Sequence, residues 1–194
     1  EMIEKSNKEH SDLTKKGSPP SHSTKALIIK AYQQLSRYST LIETGTWHGD
    51  MVASQKDNFT RIISIELGES LYKKAVERFA KDSNVHLYLG DSSKILPIIL
   101  ENIKEPAIFW LDGHWSEGDT ARGSKDTPIV AELKAIMLHG LAYDLPHIIL
   151  IDDARYFDGV GDYPTISNLV SLITAIDCRY QINIEADIIR CVRS

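Results

Sequence analysis

Acidic residues stand at or just beyond the ends of five short apolar runs in the sequence. The runs span residues 40–44, 61–66, 85–89, 107–111 and 147–151. The acids at their ends are Glu43, Glu66, Asp91, Asp112 and the pair Asp152 and Asp153. Any one of them alone would most simply cap the helix that follows. Acids after all five runs instead predict one ligand crevice, because ligands bind at the carboxyl edge of an open parallel sheet.

The loop after the first run has the composition of a cofactor-binding turn. Gly45 and Gly49 lack a Cβ, so the backbone there can approach a ligand closely. Trp47 stands where a G-x-G-x-x-G fingerprint would need glycine, which disfavours a dinucleotide cofactor such as NAD. Glu66, at the end of the next run, is a carboxylate suited to binding both hydroxyls of a ribose, although it could also be a solvated surface acid.

The elements that must position these residues alternate along the chain. Amphipathic segments at residues 70–80, 129–138 and 166–176 lie between or after the apolar runs and predict helices that cross back over a parallel sheet. Two further β-like runs, at residues 180–185 and 187–192, predict a closing hairpin. The pattern predicts an α/β, Rossmann-like, doubly wound and mainly parallel seven-stranded sheet with a C-terminal antiparallel hairpin strand.

The chain length of 194 residues favours one globular domain, since a second full domain would not fit. Residues 1–24 are polar and interrupted by glycine and two prolines, which predicts a flexible arm. A helical pattern follows this arm, and Ser23 or Thr24 is its expected cap. The globular domain is therefore expected to span residues 25–194.

Charge and cysteine content narrow the classes of partner. The net charge of −5 gives no overall attraction to nucleic acid or anionic lipid, which favours a small-molecule acceptor. No apolar run reaches the roughly 18 residues of a membrane-spanning helix, so a cytoplasmic protein without membrane contact is expected. Cys178 and Cys191 form neither a zinc motif nor a disulfide framework. The oligomeric state stays open, with a homodimer as one alternative.

Over residues 25–194 the sequence resembles the class I S-adenosylmethionine-dependent methyltransferases. Residues 43–49, Glu-Thr-Gly-Thr-Trp-His-Gly, are similar to that family's acid-x-Gly-x-Gly-x-Gly motif, except that Trp47 replaces the middle glycine. Glu66 matches the acid that binds the ribose, and Leu-Gly-Asp-Ser at residues 89–92 matches the segment beside the adenine. The resemblance implies that S-adenosyl-L-methionine contacts Glu43, Gly45, Thr46, Trp47, Gly49, Glu66, Leu67, Gly90, Asp91, Ser92 and Asp112.

The ends of the fourth and fifth runs resemble the metal-dependent small-molecule O-methyltransferases, including those that act on catechols and on antibiotic sugars. In these enzymes an acid after strand four and two acidic or amide residues after strand five bind a divalent cation, and Asp112, Asp152 and Asp153 match those positions. Mg²⁺ or a similar cation would hold a substrate hydroxyl and lower its pKa. The resemblance makes His114 the candidate acceptor of the hydroxyl proton, with Asp112 as the second catalytic residue.

Alternatives are open at these positions. His114 could be packed and hydrogen-bonded without a catalytic role, and Asp152 and Asp153 could begin a helix without binding a metal. For the whole chain, methyl transfer to an oxygen of a small hydroxylated or phenolic acceptor competes with metal-free methylation of a nitrogen or of a protein side chain. A third hypothesis is a catalytically inactive module that binds S-adenosylmethionine or another nucleotide.

Overall fold

The computed structural model describes residues 19–113 and 127–193. The strands in these ranges are β1 (Thr40–Thr44), β2 (Arg61–Glu66), β3 (Val85–Leu89), β4 (Ala107–Leu111), β5 (Ile148–Ile151), β6 (Tyr180–Glu185) and β7 (Ile188–Arg193). They form a single sheet in the order β3-β2-β1-β4-β5-β7-β6. Strands β1 to β5 pair in parallel, and β7 lies antiparallel between β5 and β6. The predicted fold class, with its closing hairpin, is confirmed.

Helices connect the parallel strands. They are α1 (His22–Ser36), α2 (Asp50–Gln55), α3 (Glu69–Arg78), α4 (Ser92–Leu100), α5 (Ile129–Ala142) and α6 (Ile166–Ile176), with a 3₁₀ turn at Ala154–Tyr156. Helices α2 and α4 lie in segments for which the sequence analysis named no helix. Among the described residues, no helix has both the length and the apolar character needed to cross a bilayer.

Helices cover both faces of the sheet, which explains why β4 and β5 are unbroken apolar runs. Every residue of β1 and β4 is buried. Neighbouring residues of β1 belong to different core clusters, Leu41 to one and Ile42 to the other, because successive side chains point to opposite faces. Helix residues buried in the two clusters include Ile29, Val52 and Ala75 in the first and Leu96, Leu133 and Leu169 in the second.

Helix α1 begins earlier than the sequence indicated. Ser21, rather than Ser23 or Thr24, is the N-cap, and its hydroxyl accepts a 3.2 Å hydrogen bond from the Thr24 N–H. The extended backbone of Ser21 lets its side chain reach the free N–H groups of the first turn, so the helix starts inside the segment assigned to the arm. The side-chain amide of Gln55 donates to the Ala26 carbonyl at 2.8 Å, which ties α1 to α2.

Candidate active site

Backbone hydrogen bonds align the strand ends that carry the predicted acids. The Asp112 N–H donates to the Thr44 carbonyl at 3.1 Å, and the Asp152 N–H donates to the Leu111 carbonyl at 3.0 Å. These bonds hold the residues that follow β4 and β5 level with the end of β1. The strand order changes direction between β1 and β4, so this edge is the topological switch point where open α/β sheets bind ligands.

Gly45 makes the close approach between the first loop and the end of β4. Its φ is +90°, and a Cβ there would lie 2.6 Å from the Asp112 carbonyl oxygen. Glycine is needed on both counts, because other residues rarely adopt this φ and none could fit against that carbonyl. Gly49, with φ +79°, is the N-cap of α2, where a Cβ would lie 2.6 Å from the Phe79 ring.

Trp47 adopts a glycine-like backbone conformation at the place where the motif has its middle glycine. Its φ is 48°, in the left-handed region. A non-glycine residue costs about 1–2 kcal/mol there, so Trp47 stands in a strained turn. The indole is half exposed and its ring centroid lies 4.1 Å from that of His48. The departure from the motif therefore adds an aromatic surface to the loop.

Glu66 joins the first loop to the turn after β2. Its carboxylate accepts hydrogen bonds from the Trp47 N–H at 2.8 Å and from the Gly68 N–H at 2.7 Å. The residue is only 6% exposed, whereas the next residue, Leu67, is 37% exposed. Each carboxylate oxygen can accept more than one hydrogen bond, so a ribose could still donate to this group. Glu66 thus positions the loop, a role that the sequence did not indicate, and its contact with a ribose stays a prediction.

Glu43 lies beneath the same loop. The Ser64 hydroxyl donates to its carboxyl group at 2.5 Å, and Thr46 and Ser64 share a 2.6 Å hydrogen bond. Burial raises the pKa of Glu43 to about 8, the Ser64 hydrogen bond opposes that shift, and the nearby Glu66 adds to it. Glu43 is therefore largely protonated near neutral pH and connects β1 to β2 through Ser64.

Asp91 acts as the N-cap of α4. Helix capping is the structural role that the sequence analysis considered for any single acid after a strand. One carboxylate oxygen accepts hydrogen bonds from the Ser93 N–H at 2.9 Å and from the Ser93 hydroxyl at 2.6 Å. Gly90, with φ +148°, turns the chain out of β3, and its N–H donates to the Glu66 carbonyl at 2.8 Å. The cap places Asp91 and Ser92 at the switch-point edge beside Glu66.

The three acids predicted as metal ligands come together. One carboxylate oxygen from each of Asp112, Asp152 and Asp153 lies within 4.8 Å of the others. Burial raises the pKa of Asp112 well above its ordinary value, the charges of the other two acids add to the shift, and Lys25 opposes it. Asp153 also pairs with Arg155, whose Nη1 lies 2.8 Å from its Oδ1.

Lys25 of α1 enters this acidic cluster. Its ammonium donates a hydrogen bond to Asp152 Oδ2 and lies 3.7 Å from Asp153 Oδ1. Burial lowers the pKa of Lys25, but the hydrogen bond to Asp152 and the charges of the three acids outweigh burial and raise it. Three carboxylates have the right chemistry for a hard divalent cation. They do not fit one while Lys25 is in place, because its ammonium already holds Asp152 Oδ2 and lies beside Asp153 Oδ1, two oxygens that a metal would need.

Sequence reasoning missed two buried or half-buried charged residues of this edge. Lys25 lies in an ordinary helical pattern, and nothing in that pattern shows that its helix crosses the sheet edge. Glu132, in the first turn of α5, has an oxygen 3.6 Å from the position that a Cβ on Gly113 would take. Burial raises the pKa of Glu132 to about 7, and among the described residues neither its Oε1 nor the Thr44 hydroxyl has a hydrogen-bond partner.

The remaining catalytic candidate, His114, lies outside the described residues. The described chain stops at Gly113 and resumes at Thr127. The structure therefore places Asp112 at the site and leaves the role of His114 a prediction.

Comparison with known proteins identifies the fold. Neither a protein-family model nor a curated protein sequence matches the chain. Among solved structures, it is similar to an O-methyltransferase from Bacillus cereus in complex with SAH, with a TM-score of 0.63 and 15% identity over 95% of this chain and 86% of that one. It is also similar to the O-methyltransferase TomG from Streptomyces achromogenes in complex with SAM, with a TM-score of 0.58 and 14% identity over 90% and 81% of the two chains.

A third similar structure is the 23S rRNA methyltransferase ErmE, with a TM-score of 0.57 and 15% identity over 92% of this chain and 70% of that one. At such low identities the likeness concerns the fold. It agrees with the strand order and the antiparallel β7 described above. The chain has the fold of the class I S-adenosylmethionine-dependent methyltransferases.

Proposed function

We propose that this protein transfers the methyl group of S-adenosylmethionine to a hydroxyl oxygen of a small hydroxylated or phenolic acceptor. The observation that carries the proposal is the buried Glu66 carboxylate, which holds the Gly45 loop at the topological switch point of the sheet. Two of the structurally similar proteins are O-methyltransferases whose structures contain SAH or SAM. These two proteins support the same cofactor and the same type of acceptor atom here.

The proposed cofactor pose follows the strand ends across the sheet. The loop of Gly45, Thr46, Trp47 and Gly49 would enclose the methionine end, above the buried Glu43. Glu66 and Leu67 would contact the ribose, and Gly90, Asp91 and Ser92 would flank the adenine. Asp112 would then lie beside the transferred methyl group, because its carbonyl contacts the Gly45 position.

Methyl transfer needs an acceptor oxygen held in line with the sulfonium methyl group. The oxygen forms a bond to the methyl carbon as the carbon–sulfur bond breaks, and the electron pair of that bond goes to sulfur, which leaves a neutral thioether. The acceptor's hydroxyl proton passes to a base, for which His114 is the candidate from sequence. Most of the remaining catalytic work is positioning of the acceptor.

The charge of the site favours a small neutral or cationic acceptor over nucleic acid. Asp112, Asp152 and Asp153 stand where the acceptor would lie, and the chain as a whole carries a net charge of −5. Both the local acids and the negative net charge would repel the phosphate groups of a nucleic acid. This argument separates the protein from the rRNA methyltransferase that shares its fold.

A metal-assisted form of the reaction is the second candidate, and the grouping of three carboxylates within 4.8 Å favours it. The ligands would be Asp112, Asp152 and Asp153, and Mg²⁺ or a similar ion would lower the pKa of the acceptor hydroxyl. Lys25 would first have to leave Asp152.

Calorimetric titration of the full chain with S-adenosylmethionine, S-adenosylhomocysteine and NAD tests the cofactor. We expect saturable binding of the first two and none of NAD. Binding of NAD alone would overturn the proposal. Binding of S-adenosylmethionine without turnover on a panel of phenolic, catecholic and sugar acceptors would instead favour an inactive module.

A further inference from the structure

The cation beside the three acids in this structure belongs to the protein itself. Lys25 lies in the first turn of α1, and its ammonium contacts Asp152 and Asp153 from outside the sheet edge. The Asp152 side chain is fully buried, and that of Lys25 is only 17% exposed, so the ion pair is shielded from water. Such a pair is strongly coupled, because removing one partner leaves an uncompensated charge in a poorly solvated place.

Two basic side chains already pair with acids of the cluster. Lys25 contacts Asp152 and Asp153, and Arg155 contacts Asp153 and Asp187. A divalent cation among these acids would stand against the Lys25 ammonium at short range. Cations repel one another strongly at such separations when water is scarce, so a metal would have to displace Lys25 from Asp152.

We infer that Lys25 is a built-in cation that replaces the divalent metal in this site and positions the acceptor oxygen for methyl transfer. The inference rests on the proposed function for its chemistry, and on the contacts of Lys25 for its placement. An ammonium group has three N–H donors. One is used on Asp152, which leaves donors that can bind an acceptor oxygen and stabilise the negative charge that grows on it as its proton departs.

This assignment gives α1 a function. The cap at Ser21 fixes the first turn, and the Gln55 bond to Ala26 fixes the helix against α2, so Lys25 projects from a rigid support. A metal-binding enzyme of this fold would need the acids free, whereas here the helix supplies the positive charge. The protein is then expected to methylate its acceptor in the presence of a chelator.

The test is a calorimetric titration with Mn²⁺ alone, on the full chain, for the parent and for Lys25→Met. The parent is expected to show no saturable binding. Lys25→Met is expected to bind Mn²⁺ saturably, at least about tenfold more tightly than the detection limit of the titration, because the acids have lost their cation. Lys30→Met, which removes an exposed lysine from the same helix, is the matched control and should behave like the parent. Adding Asp152→Asn to Lys25→Met should abolish the gained binding.

Thermal unfolding of the same proteins keeps the test decisive if Lys25→Met is poorly folded. Mn²⁺ should then raise the melting temperature of Lys25→Met and leave that of the parent unchanged. Saturable Mn²⁺ binding by the parent would overturn the inference, and so would the absence of any gain in Lys25→Met by both methods. Neither measurement involves S-adenosylmethionine, so failure of the proposed function would appear separately, in the cofactor titration.

Discussion

The backbone N–H of Trp47 donates a 2.8 Å hydrogen bond to the carboxylate of Glu66. This bond spans the gap between the ends of β1 and β2 and holds a loop whose residue 47 sits in the left-handed region. If this carboxylate also contacts the cofactor as proposed, removing it has two effects, one on the loop and one on cofactor binding. Substitutions at Glu66 can separate them.

We expect Glu66→Ala to weaken S-adenosylhomocysteine binding by about 1.5–3 kcal/mol, because both the ribose contacts and the loop anchor are lost. Glu66→Gln keeps an acceptor of nearly the same shape and should lose less. Calorimetry measures both affinities, with Glu69→Ala as a control at an exposed position nearby. If folded Glu66→Ala binds the cofactor as tightly as the parent, the pocket lies elsewhere.

Strand positions were predictable because strands that are buried on both faces appear in the sequence as short runs rich in apolar residues. β1 to β4 have the predicted limits, and β5 begins one residue later, since His147 is buried but precedes the pairing. Helix α4 was not predicted because Pro97 interrupts an otherwise apolar segment. A proline in a helix normally ends it, and only the tertiary packing around Leu96 and Leu100 overrides that tendency.

The acids of the site were found from their place after the strands, whereas their partners were not. Lys25 reaches Asp152 across 127 positions of sequence, and only the packing of α1 against the sheet brings the two together. Glu132 appears in sequence as a normal acid of a first helical turn, yet it is buried and lies close to Gly113. Long-range contacts of this kind leave no local pattern.

The close contact between Gly45 and the Asp112 carbonyl predicts that even alanine at position 45 strongly destabilises the fold. Gly45→Ala should lower the free energy of unfolding by at least about 2 kcal/mol, since the added Cβ meets a backbone carbonyl and the φ of +90° disfavours alanine. Urea unfolding measures the change. Gly113→Ala is the comparison, because its φ is outside that region and its nearest contact is the Thr44 hydroxyl at 3.2 Å. Equal losses would mean that the backbone contact is unimportant.

Glu43 predicts a loss of stability with rising pH. Its folded pKa of about 8 lies above the ordinary value of 4.5, so the folded protein holds a proton that the unfolded chain releases. The contribution of protonated Glu43 to the free energy of unfolding is complete below pH 4.5 and is lost as the pH rises to 8. The free energy of unfolding then falls by up to about 1.4 kcal/mol per pH unit.

Glu43→Gln is expected to reduce this slope, since the amide does not titrate and can still accept the Ser64 hydrogen bond. Urea unfolding between pH 5 and 8 measures it, with Glu77→Gln as the exposed control. Glu132, whose pKa of about 7 is raised by burial, should account for part of the remaining slope, and Glu132→Gln should remove that part. An unchanged slope in Glu43→Gln would show that Glu43 is ionised throughout.

His147 predicts the opposite dependence at lower pH. Its ring is buried, with Nδ1 accepting from the Ala107 N–H at 3.1 Å and Nε2 lying 3.0 Å from His139 Nδ1. Burial, together with the charges of His139 and Arg193, lowers the pKa of His147 to about 3. Below pH 6.5 the unfolded chain therefore binds a proton at this histidine, whereas the folded protein does not. The contribution of neutral His147 to the free energy of unfolding is complete above pH 6.5 and is lost as the pH falls toward 3.

His147→Asn should reduce the loss of stability between pH 6.5 and 4. The free energies of unfolding of the parent and the variant can be compared directly near pH 7. The asparagine side-chain oxygen can take the acceptor role of Nδ1 toward Ala107, but it cannot be protonated in this range. Urea unfolding at intervals from pH 7 to pH 4 should show a slope of up to about 1.4 kcal/mol per pH unit in the parent and a smaller one in the variant. His86→Asn, at an exposed position of β3, should retain the parent slope. If His147→Asn and the parent lose stability in parallel, His147 is protonated in the folded protein and the His139–His147 pair must rearrange in acid.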